Sequence, residues 1–259
     1  MTAYFERLAE TPDGGGRFRA TAHTGGGWNP AEQHIAPTVG LVTHCLARAG
    51  AGAPVQRLAV DILGVIGIDE VTVVVEPVRP GRTIELVEAR VSWAGRDVVR
   101  ARAWRLAGSD TAAAAGTPEA PLPPRDELAA WDMSAGWPGG YIASLEVRHR
   151  DVGPGRAQAW LRSDVELLDG EEVGGLARFL ALADTANGLV QGPDRRGWFY
   201  PNVDLTAHLF REPTGPWVGM DTSVSWGPGG HGLTATVLHD EAGPVGRVAQ
   251  LCTLRRLPA

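Results

Sequence analysis

Two stretches, QRLAVDILGVI at residues 56–66 and YPNVDLTAHLF at residues 200–210, occupy matching places in the two halves of this chain. Each stretch follows a segment with one apolar helical face and precedes three segments that have strand character. Val60-Asp61-Ile62 in the first stretch corresponds to Val203-Asp204-Leu205 in the second. The period is far too long for a solenoid, so the sequence predicts a duplicated small domain.

The predicted elements have the same order in both halves. The first half contains a helix within 29–49 and strands near 56–66, 70–78, 83–93 and 97–106. The second half contains a hairpin of 144–150 and 156–165, a helix within 174–190, and strands near 200–210, 217–226, 232–238 and 245–254. One apolar helix followed by alternating strands predicts an α+β unit in which an antiparallel sheet wraps around the helix. We expect one continuous sheet across both units.

Periodicity and capping residues define the two helices. The first stripe is Ile35, Val39, Val42, Leu46 and Ala49, and the second is Leu176, Phe179, Leu180, Ala183 and Val190. Asn29-Pro30 with Glu32 is typical of a helix start, although Pro37 would then restart or kink that helix. The expected domains are 1–107 and 126–259, joined by an Ala- and Pro-rich linker at 108–125. Residues 125–131 are expected to add a short helical turn.

Composition restricts the class of protein. The chain has 259 residues, of which 44% are hydrophobic, so it can bury a large core. Its net charge of −6 argues against nucleic acid as a partner. It has no apolar run long enough for a membrane span, and no secretory signal is visible, so we expect a cytoplasmic protein. Cys45 and Cys252 are expected to be buried free thiols.

Several landmarks occur in a characteristic order. Gly26-Gly27 comes before the first helix, and residues 78–83 form a turn with Gly81. The C-terminal half then contains Val203-Asp204, Ser223-Val224-Ser225, Gly230-His231-Gly232 and Val248-Ala249-Gln250. This series, which extends from about Phe18 to Arg256, resembles the double (tandem) hotdog fold of bacterial acyl-CoA thioesterases of the thioesterase II type.

The resemblance implies a catalytic set. That family hydrolyses acyl-CoA thioesters with a water held by an Asp, a Thr or Ser hydroxyl and a Gln, and these roles fall by position on Asp204, Ser225 and Gln250. A carboxylate can act as general base toward water, and amide and hydroxyl groups can orient it. Backbone N–H groups at a helix start can polarise the carbonyl. No metal or other cofactor is implied.

Other residues are candidates for substrate contact. Gly26 and Gly27 would let an acyl group approach the backbone closely. Asp184 and Asn187 are polar residues on an apolar helix, which is typical of the mouth of an acyl channel. A hydrogen-bonded pair in the core is an equally good interpretation.

Structural interpretations also exist for the catalytic set. Asp204 shares a polar strand face with Thr206 and His208, which solvation alone would explain. A buried Gln250 could serve only to bind backbone groups. In the first half Asp61 takes the place of Asp204, and Val78 and Ala103 take those of Ser225 and Gln250. We therefore expect one working site in each chain.

Three classes of function stay open at the level of sequence. The first is an acyl-CoA thioesterase, or a hydrolase of related acyl thioesters. The second is a hotdog hydratase or dehydratase, and the third binds acyl-CoA or another apolar ligand without converting it. The histidines have no spacing that would gather metal ligands. The chain lacks Gly-x-Ser-x-Gly, which argues against an α/β-hydrolase. A homodimer through exposed sheet edges is a further expectation.

Overall fold

The computed structural model of the chain describes residues 2–49, 52–190, 192–194 and 197–257. The first module contains β1 (Ala3–Glu10), β2 (Gly16–Ala20), β3 (Gly25–Gly26), β4 (Asn29–Gln33), α1 (Ile35–Arg48), β5 (Val55–Ile62), β6 (Glu70–Arg79), β7 (Ile84–Trp93) and β8 (Arg96–Leu106). The second contains β9 (Ala129–Ala130), α2 (Gly140–Ala143), β10 (Leu145–Gly153), β11 (Arg156–Ser163), β12 (Glu166–Leu168), α3 (Gly175–Leu180), α4 (Ala186–Leu189), β13 (Trp198–Phe199), β14 (Asp204–Leu209), β15 (Val218–Trp226), β16 (His231–Asp240), β17 (Gly243–Thr253) and β18 (Arg255–Arg256). The strands predicted from the sequence are confirmed, and the sequence did not indicate β1, β2 or the short strands β3, β4, β9, β12, β13 and β18.

One sheet of fourteen strands runs through both modules, in the order β12-β1-β2-β6-β7-β8-β5-β14-β17-β16-β15-β11-β10-β9. The modules meet where β5 pairs antiparallel with β14. The expected continuous antiparallel sheet is confirmed, with one exception, because β12 pairs parallel with β1. Both outer strands of the sheet are short, and short edges offer little surface for pairing with another chain.

The start of the first helix differs from the prediction. Residues 29–33 form β4, which pairs with β3, and α1 begins at Ile35 with His34 as its N-cap. The Nδ1 atom of His34 accepts a hydrogen bond from the Ala36 N–H at 3.2 Å. Pro37 therefore lies in the first helical turn, where a missing N–H costs nothing, and it neither kinks nor restarts the helix.

The second helix is not continuous, contrary to the prediction. It consists of α3, a 3-10 segment at Ala183–Thr185, and α4. The break follows the crossing of the two central helices, where a Cβ atom on Gly40 of α1 would lie 2.6 Å from the Cβ of Ala181. The small residues let the helix backbones approach, and the irregular segment that follows carries Asp184.

The duplication is confirmed, but its register differs from the prediction. β7 and β8 have the same lengths as β16 and β17, and Ala59 pairs with Arg102 as Thr206 pairs with Ala249. In this frame Ala103 matches Gln250 as predicted, whereas Ser225, the partner of Leu233, corresponds to Arg79, the partner of Leu86, because β6 has a register shift at Val78. Asp204, however, corresponds to Arg57, and Asp61 corresponds to His208. Asp61 and Asp204 are instead cross-strand partners where the modules meet.

The segment that joins the modules packs against the sheet of the second one. Leu122 is buried with Leu128, Trp160 and Trp217. Trp160 Nε1 donates to the Pro123 carbonyl at 2.8 Å, and the expected helical turn is a 3-10 turn at Arg125–Glu127. The linker bounds of 108–125 stay a prediction. Cys45 and Cys252 are buried free thiols, as expected.

Candidate active site

A cavity of about 380 Å³ lies between the two modules. Its walls come from the start of α1, the segment after β5, the 3-10 segment that carries Asp184, and the residues before β14. The apolar lining comprises Trp28, Ile35, Ile62, Leu63, Val65, Ile66, Met133, Trp137, Ile142 and Phe199. The polar lining comprises Asn29, Glu32, Gln33, His34, Asp184, Thr185, Asn187, Asn202 and Arg255. An apolar pocket with a few converging polar groups is the usual form of a small-molecule site.

Asp184 is the centre of the polar groups. It is only 5% exposed, and its Oδ1 accepts two hydrogen bonds, from Asn202 Nδ2 at 2.7 Å and from Gln250 Nε2 at 2.7 Å. Oδ2 lies 3.6 Å from His34 Nδ1 and accepts no hydrogen bond from the described part of the chain. One carboxylate oxygen is thus held by two amides, and the other remains available.

The electrostatics of this carboxyl suit a base. Burial raises the pKa of Asp184 to about 6, although the hydrogen bonds from Asn202 and Gln250 oppose the rise. No Lys or Arg of the described residues forms an ion pair with this carboxylate. A pKa near the working pH combines a large ionised fraction with useful basicity.

Gln250 lies on the inner face of β17 and is fully buried. Its amide nitrogen is directed to Asp184, whereas its Oε1 is buried and has no hydrogen-bond partner among the described residues. An unsatisfied buried acceptor costs about 1–3 kcal/mol, so this atom is expected to have a partner when the site is occupied. Gln250 does not itself line the cavity, and its unpaired oxygen belongs to a side chain that is bonded directly to Asp184.

His34 closes the cavity opposite Asp184. The ring packs on Tyr141 with centroids 4.3 Å apart, and burial lowers the pKa of His34 to about 3. Tyr141 in turn holds the segment that carries Asp184, because its hydroxyl contacts Thr185 Oγ1 at 2.6 Å and the Ala181 carbonyl at 3.2 Å. The first module therefore supplies the histidine and the second supplies the carboxylate.

Aromatic side chains form one wall of the cavity. Trp28 contacts Trp137, Phe199 and Tyr200 edge-on, with centroids 4.9, 4.5 and 4.9 Å apart. The Arg255 guanidinium lies 4.6 Å from the centre of the Phe199 ring and also lines the cavity. The wall is thus apolar, with a cation beside it.

The structure does not bring the predicted catalytic set together. Gln250 faces the interior, but Ser225 is exposed on the opposite face of the sheet, beside the exposed Leu233. Asp204 also lies away from Gln250, and its Oδ1 accepts the Leu251 N–H at 2.6 Å at the start of β14. A period-2 alternation separates them, because adjacent positions of a strand point to opposite faces.

The predicted substrate-binding residues all lie on the cavity wall. Asn187 Oδ1 accepts a hydrogen bond from Thr234 Oγ1 at 3.4 Å, and its Nδ2 donates to the Tyr200 carbonyl at 3.3 Å. Gly26 adopts a φ of +135°, and a Cβ there would lie 2.6 Å from the Pro138 carbonyl oxygen. The Gly27 N–H is bonded to that same carbonyl at 2.9 Å, so it is not free for a substrate.

Sequence reasoning missed His34 and Asn202 and gave Asp184 a lesser role. The available signals were a carboxyl within an apolar helical stripe and a histidine just before a helix with Pro37 in its first turn. Among the described residues, no three His, Cys, Asp or Glu side chains gather in a group that could hold a metal ion. No described helix is both long and apolar enough to cross a membrane.

The position in the first module that corresponds to Asp184 has different residues around it. His44 follows the start of α1 by as many residues as Asp184 follows the start of α3. Its Nε2 contacts Arg7 at 3.3 Å, and Arg7 is paired with Glu171 through bonds of 2.7 and 3.0 Å. Ala103, in the place of Gln250, is a fully buried apolar residue. Among the described residues, the position of His44 is therefore next to the Arg7–Glu171 ion pair.

Comparisons with known proteins agree with this geometry. A family model described as acyl-CoA thioesterase N-terminal domain matches residues 24–106, and one described as acyl-CoA thioesterase C-terminal domain matches residues 117–254. Among curated proteins, no significant sequence match is found.

Solved structures share the fold at low sequence identity. A putative thioesterase II from Thermobifida fusca YX is 16% identical, with a TM-score of 0.74 over 98% of this chain and 96% of that one. The acyl-CoA thioesterase II TesB2 from Mycobacterium marinum is 16% identical, with a TM-score of 0.70 over 98% and 96%. The dehydratase domain of RzxB from Pseudomonas fluorescens is 14% identical, with a TM-score of 0.57 over 98% and 97%. These likenesses establish the double hotdog fold.

Proposed function

The chain belongs to the acyl-CoA thioesterase family, since models of its N- and C-terminal domains match the two modules, and we propose that it hydrolyses acyl-CoA with a water activated by Asp184. As a member of that family it is a hydrolase, which favours the enzymatic interpretations over a ligand-binding protein. The observation that carries the proposal is the buried carboxylate of Asp184, held at one oxygen by Asn202 and Gln250 and open at the other.

The two open acceptors define the position of the water. A water that donates one hydrogen to Asp184 Oδ2 and the other to Gln250 Oε1 keeps a lone pair for attack. Asn202 takes the place of the hydroxyl that the family resemblance implied, and it orients the carboxylate through a bond of 2.7 Å.

The reaction follows from these positions. The water oxygen bonds to the thioester carbonyl carbon while its proton moves to Asp184 Oδ2. The tetrahedral intermediate then collapses, the C–S bond breaks, and the proton on Asp184 passes to the departing thiolate. The products are a carboxylic acid and the free thiol, and Asp184 is again ionised. The apolar walls accommodate the acyl chain, and Arg255 provides a cation for an anionic carrier such as CoA.

Release of free thiol from a panel of acyl-CoA thioesters tests this function. We expect turnover of at least one member of a series that spans short aliphatic, long aliphatic and aromatic acyl groups. The same assay with acyl carrier protein thioesters identifies the preferred carrier. Failure of the wild-type protein to release thiol from any of these substrates would contradict the proposal.

Gln250→Ala is expected to lower turnover by about tenfold to a hundredfold with little change in KM, because the lost amide acts on water and base. Ser225→Ala and Asp204→Asn are the matched controls, since both residues lie away from Gln250 and the cavity. Both controls should keep nearly full activity. A large loss in both controls would favour the set Asp204, Ser225 and Gln250 over the one centred on Asp184, and a fully active Gln250→Ala variant would contradict the role proposed for Gln250.

The acid limb of the pH profile should follow the ionisation of Asp184. Since the base must be ionised, kcat is expected to fall as the pH drops through about 6, the pKa of this carboxyl. Asn202→Ala removes a hydrogen bond that favours the charged form, so the limb should move to higher pH. Stopped assays across a pH series measure both limbs, and an Asn202→Ala limb at lower pH would contradict this assignment.

A hydratase or dehydratase is the second candidate, because His34 Nδ1 and Asp184 Oδ2 lie 3.6 Å apart across the cavity. Such an enzyme interconverts 3-hydroxyacyl and enoyl thioesters, so its product is seen as a gain or loss of conjugated absorbance without thiol release. This assay, run beside the thiol assay, separates the two functions. Cytoplasmic location and a homodimer stay predictions, and light scattering checks the latter.

A further inference from the structure

We propose that His34 is a catalytic residue in its neutral form, donating a hydrogen bond from Nε2–H to the thioester carbonyl oxygen as that oxygen becomes an anion. This role rests on the proposed hydrolysis. It adds the group that stabilises the negative charge developing on the carbonyl oxygen of the substrate. It assigns to the first module a direct part in the chemistry of a site whose base belongs to the second.

The cap of α1 determines which nitrogen of His34 carries the proton. Nδ1 accepts the Ala36 N–H at 3.2 Å, so the lone pair of the neutral ring is at Nδ1 and the hydrogen is at Nε2. The Cδ2–Nε2 edge of the ring lies beside Gly27, which also lines the cavity, because a Cβ on Gly27 would be 3.1 Å from Cδ2 and 3.7 Å from Nε2. Nε2 has no hydrogen-bond partner among the described residues. The Nε2–H group is therefore a fixed donor that can bind an acceptor atom of the substrate.

The position of His34 suits an oxyanion donor. It is the N-cap of a helix of fourteen residues, so it lies at the positive end of the helix dipole, and that field favours a developing negative charge. Ile35, at the first position of the helix, also lines the cavity, and its N–H has no acceptor within the helix. Two donors at the helix start would thus face the carbonyl while Asp184 Oδ2 faces the water.

The same tautomer excludes the role of a base. To remove a proton from a substrate carbon, His34 would need a free lone pair toward the cavity. Its lone pair is instead used by Ala36, and burial keeps the pKa of the ring at about 3, so it stays neutral at working pH. The geometry therefore favours hydrolysis over the hydratase alternative, in which a histidine must exchange protons.

His34→Asn separates the donor from the cap. Asparagine is among the best N-cap residues, so α1 should still be capped, whereas the N–H at the position of Nε2 is lost. We expect kcat to fall by about a hundredfold to a thousandfold, with KM and the thermal midpoint nearly unchanged. The acid limb of the pH profile should stay at the pKa of Asp184. His44→Asn, which changes a buried histidine of the same helix that does not line the cavity, is the control and should keep full turnover.

A spectroscopic measurement tests the contact without turnover. Hexanoyl-CoA with a heavy carbon isotope at the carbonyl is bound to the inactive Asp184→Asn protein, and the carbonyl stretch is recorded by infrared difference. We expect a shift to lower frequency on binding, which the added His34→Asn substitution should largely remove. Equal carbonyl frequencies in the two proteins, or wild-type turnover in His34→Asn, would overturn this role alone. A wild-type protein that releases no thiol from the whole panel would overturn the proposed function, and this role with it.

Discussion

Asp184→Asn will reduce thioester turnover by at least about a hundredfold, since positioned proton transfer contributes that much or more to catalysis. Asparagine has nearly the same shape and keeps an oxygen that can accept from Asn202 Nδ2 and Gln250 Nε2, so the site geometry should be preserved. What is lost is the basic Oδ2. Thiol release under substrate saturation measures the effect on kcat.

The Asp184→Asn substitution should not lower the free energy of unfolding. The pKa of Asp184 is raised by burial to about 6, so the group stabilises the folded state most at low pH and this contribution is lost as pH rises through 6. At pH 8 the wild-type protein therefore holds an unfavourable buried charge. Asp184→Asn should raise the free energy of unfolding there by up to about 2 kcal/mol. Activity and stability would then change in opposite directions, as is common for catalytic residues.

Asp204→Asn provides the decisive comparison, because it removes a carboxylate that the sequence places in a family-like motif. Its expected effect on kcat is small. If Asp204→Asn abolished turnover and Asp184→Asn did not, the base would be Asp204 and the geometry around Asp184 would be structural. Equal losses in both variants would also contradict a single base at Asp184.

The sequence predicted most of the central sheet. Alternation and turn residues located β6, β7 and β8 and their counterparts β15, β16 and β17 to within a few residues, because each strand buries one face and its hairpins carry Gly or Pro. Helix ends were less predictable. Asn29-Pro30 resembles a cap, but β4 pairs with β3 there, and tertiary pairing overrides a local capping signal.

The candidate site could be predicted only in part, because it depends on long-range geometry. Gln250 alternates with the apolar residues Val248 and Cys252, and this pattern indicates a buried amide, which the structure has. The sequence spacing did not predict which residues contact Gln250. Asp184 lies on the irregular segment of a broken helix and Asn202 lies just before a strand, so neither position follows a regular period. Asn202 precedes β14 and donates to Asp184, whereas Asp204 begins β14 and accepts from the Leu251 N–H. Two positions of the same parity therefore have different contacts, and alternation alone does not distinguish them.

Asp240→Ala will destabilise the fold strongly although it lies outside the cavity. Asp240 is 1% exposed, and its carboxylate accepts two bonds of 2.6 Å from Arg211 together with bonds from the N–H groups of Thr214 and Ala242 at 2.8 Å. These contacts hold the segment after β14 against the β16–β17 hairpin. Removal leaves the Arg211 guanidinium with carbonyl acceptors but no anionic partner, and it leaves two backbone donors unpaired.

We expect a loss of about 3 kcal/mol in the free energy of unfolding, at the low end for a broken buried pair because Arg211 is 31% exposed. Thermal or urea unfolding at neutral pH measures it. Glu6→Ala, which breaks an exposed pair with Arg19 at 3.2 Å, is the control and should cost less than about 1 kcal/mol.

The pH dependence of stability gives a second test of the role of Asp240. Burial alone would raise the pKa of Asp240, but the bonds from Arg211, Thr214 and Ala242 outweigh it and lower the pKa to about 2. A depressed carboxyl pKa stabilises the folded state above the unfolded value of 3.8, and this contribution disappears as the pH falls through 2. The difference in stability between the wild type and Asp240→Ala should therefore shrink as the solution is acidified from pH 5. A difference that is constant over this range would show that the ionised carboxylate is not what holds the segment in place.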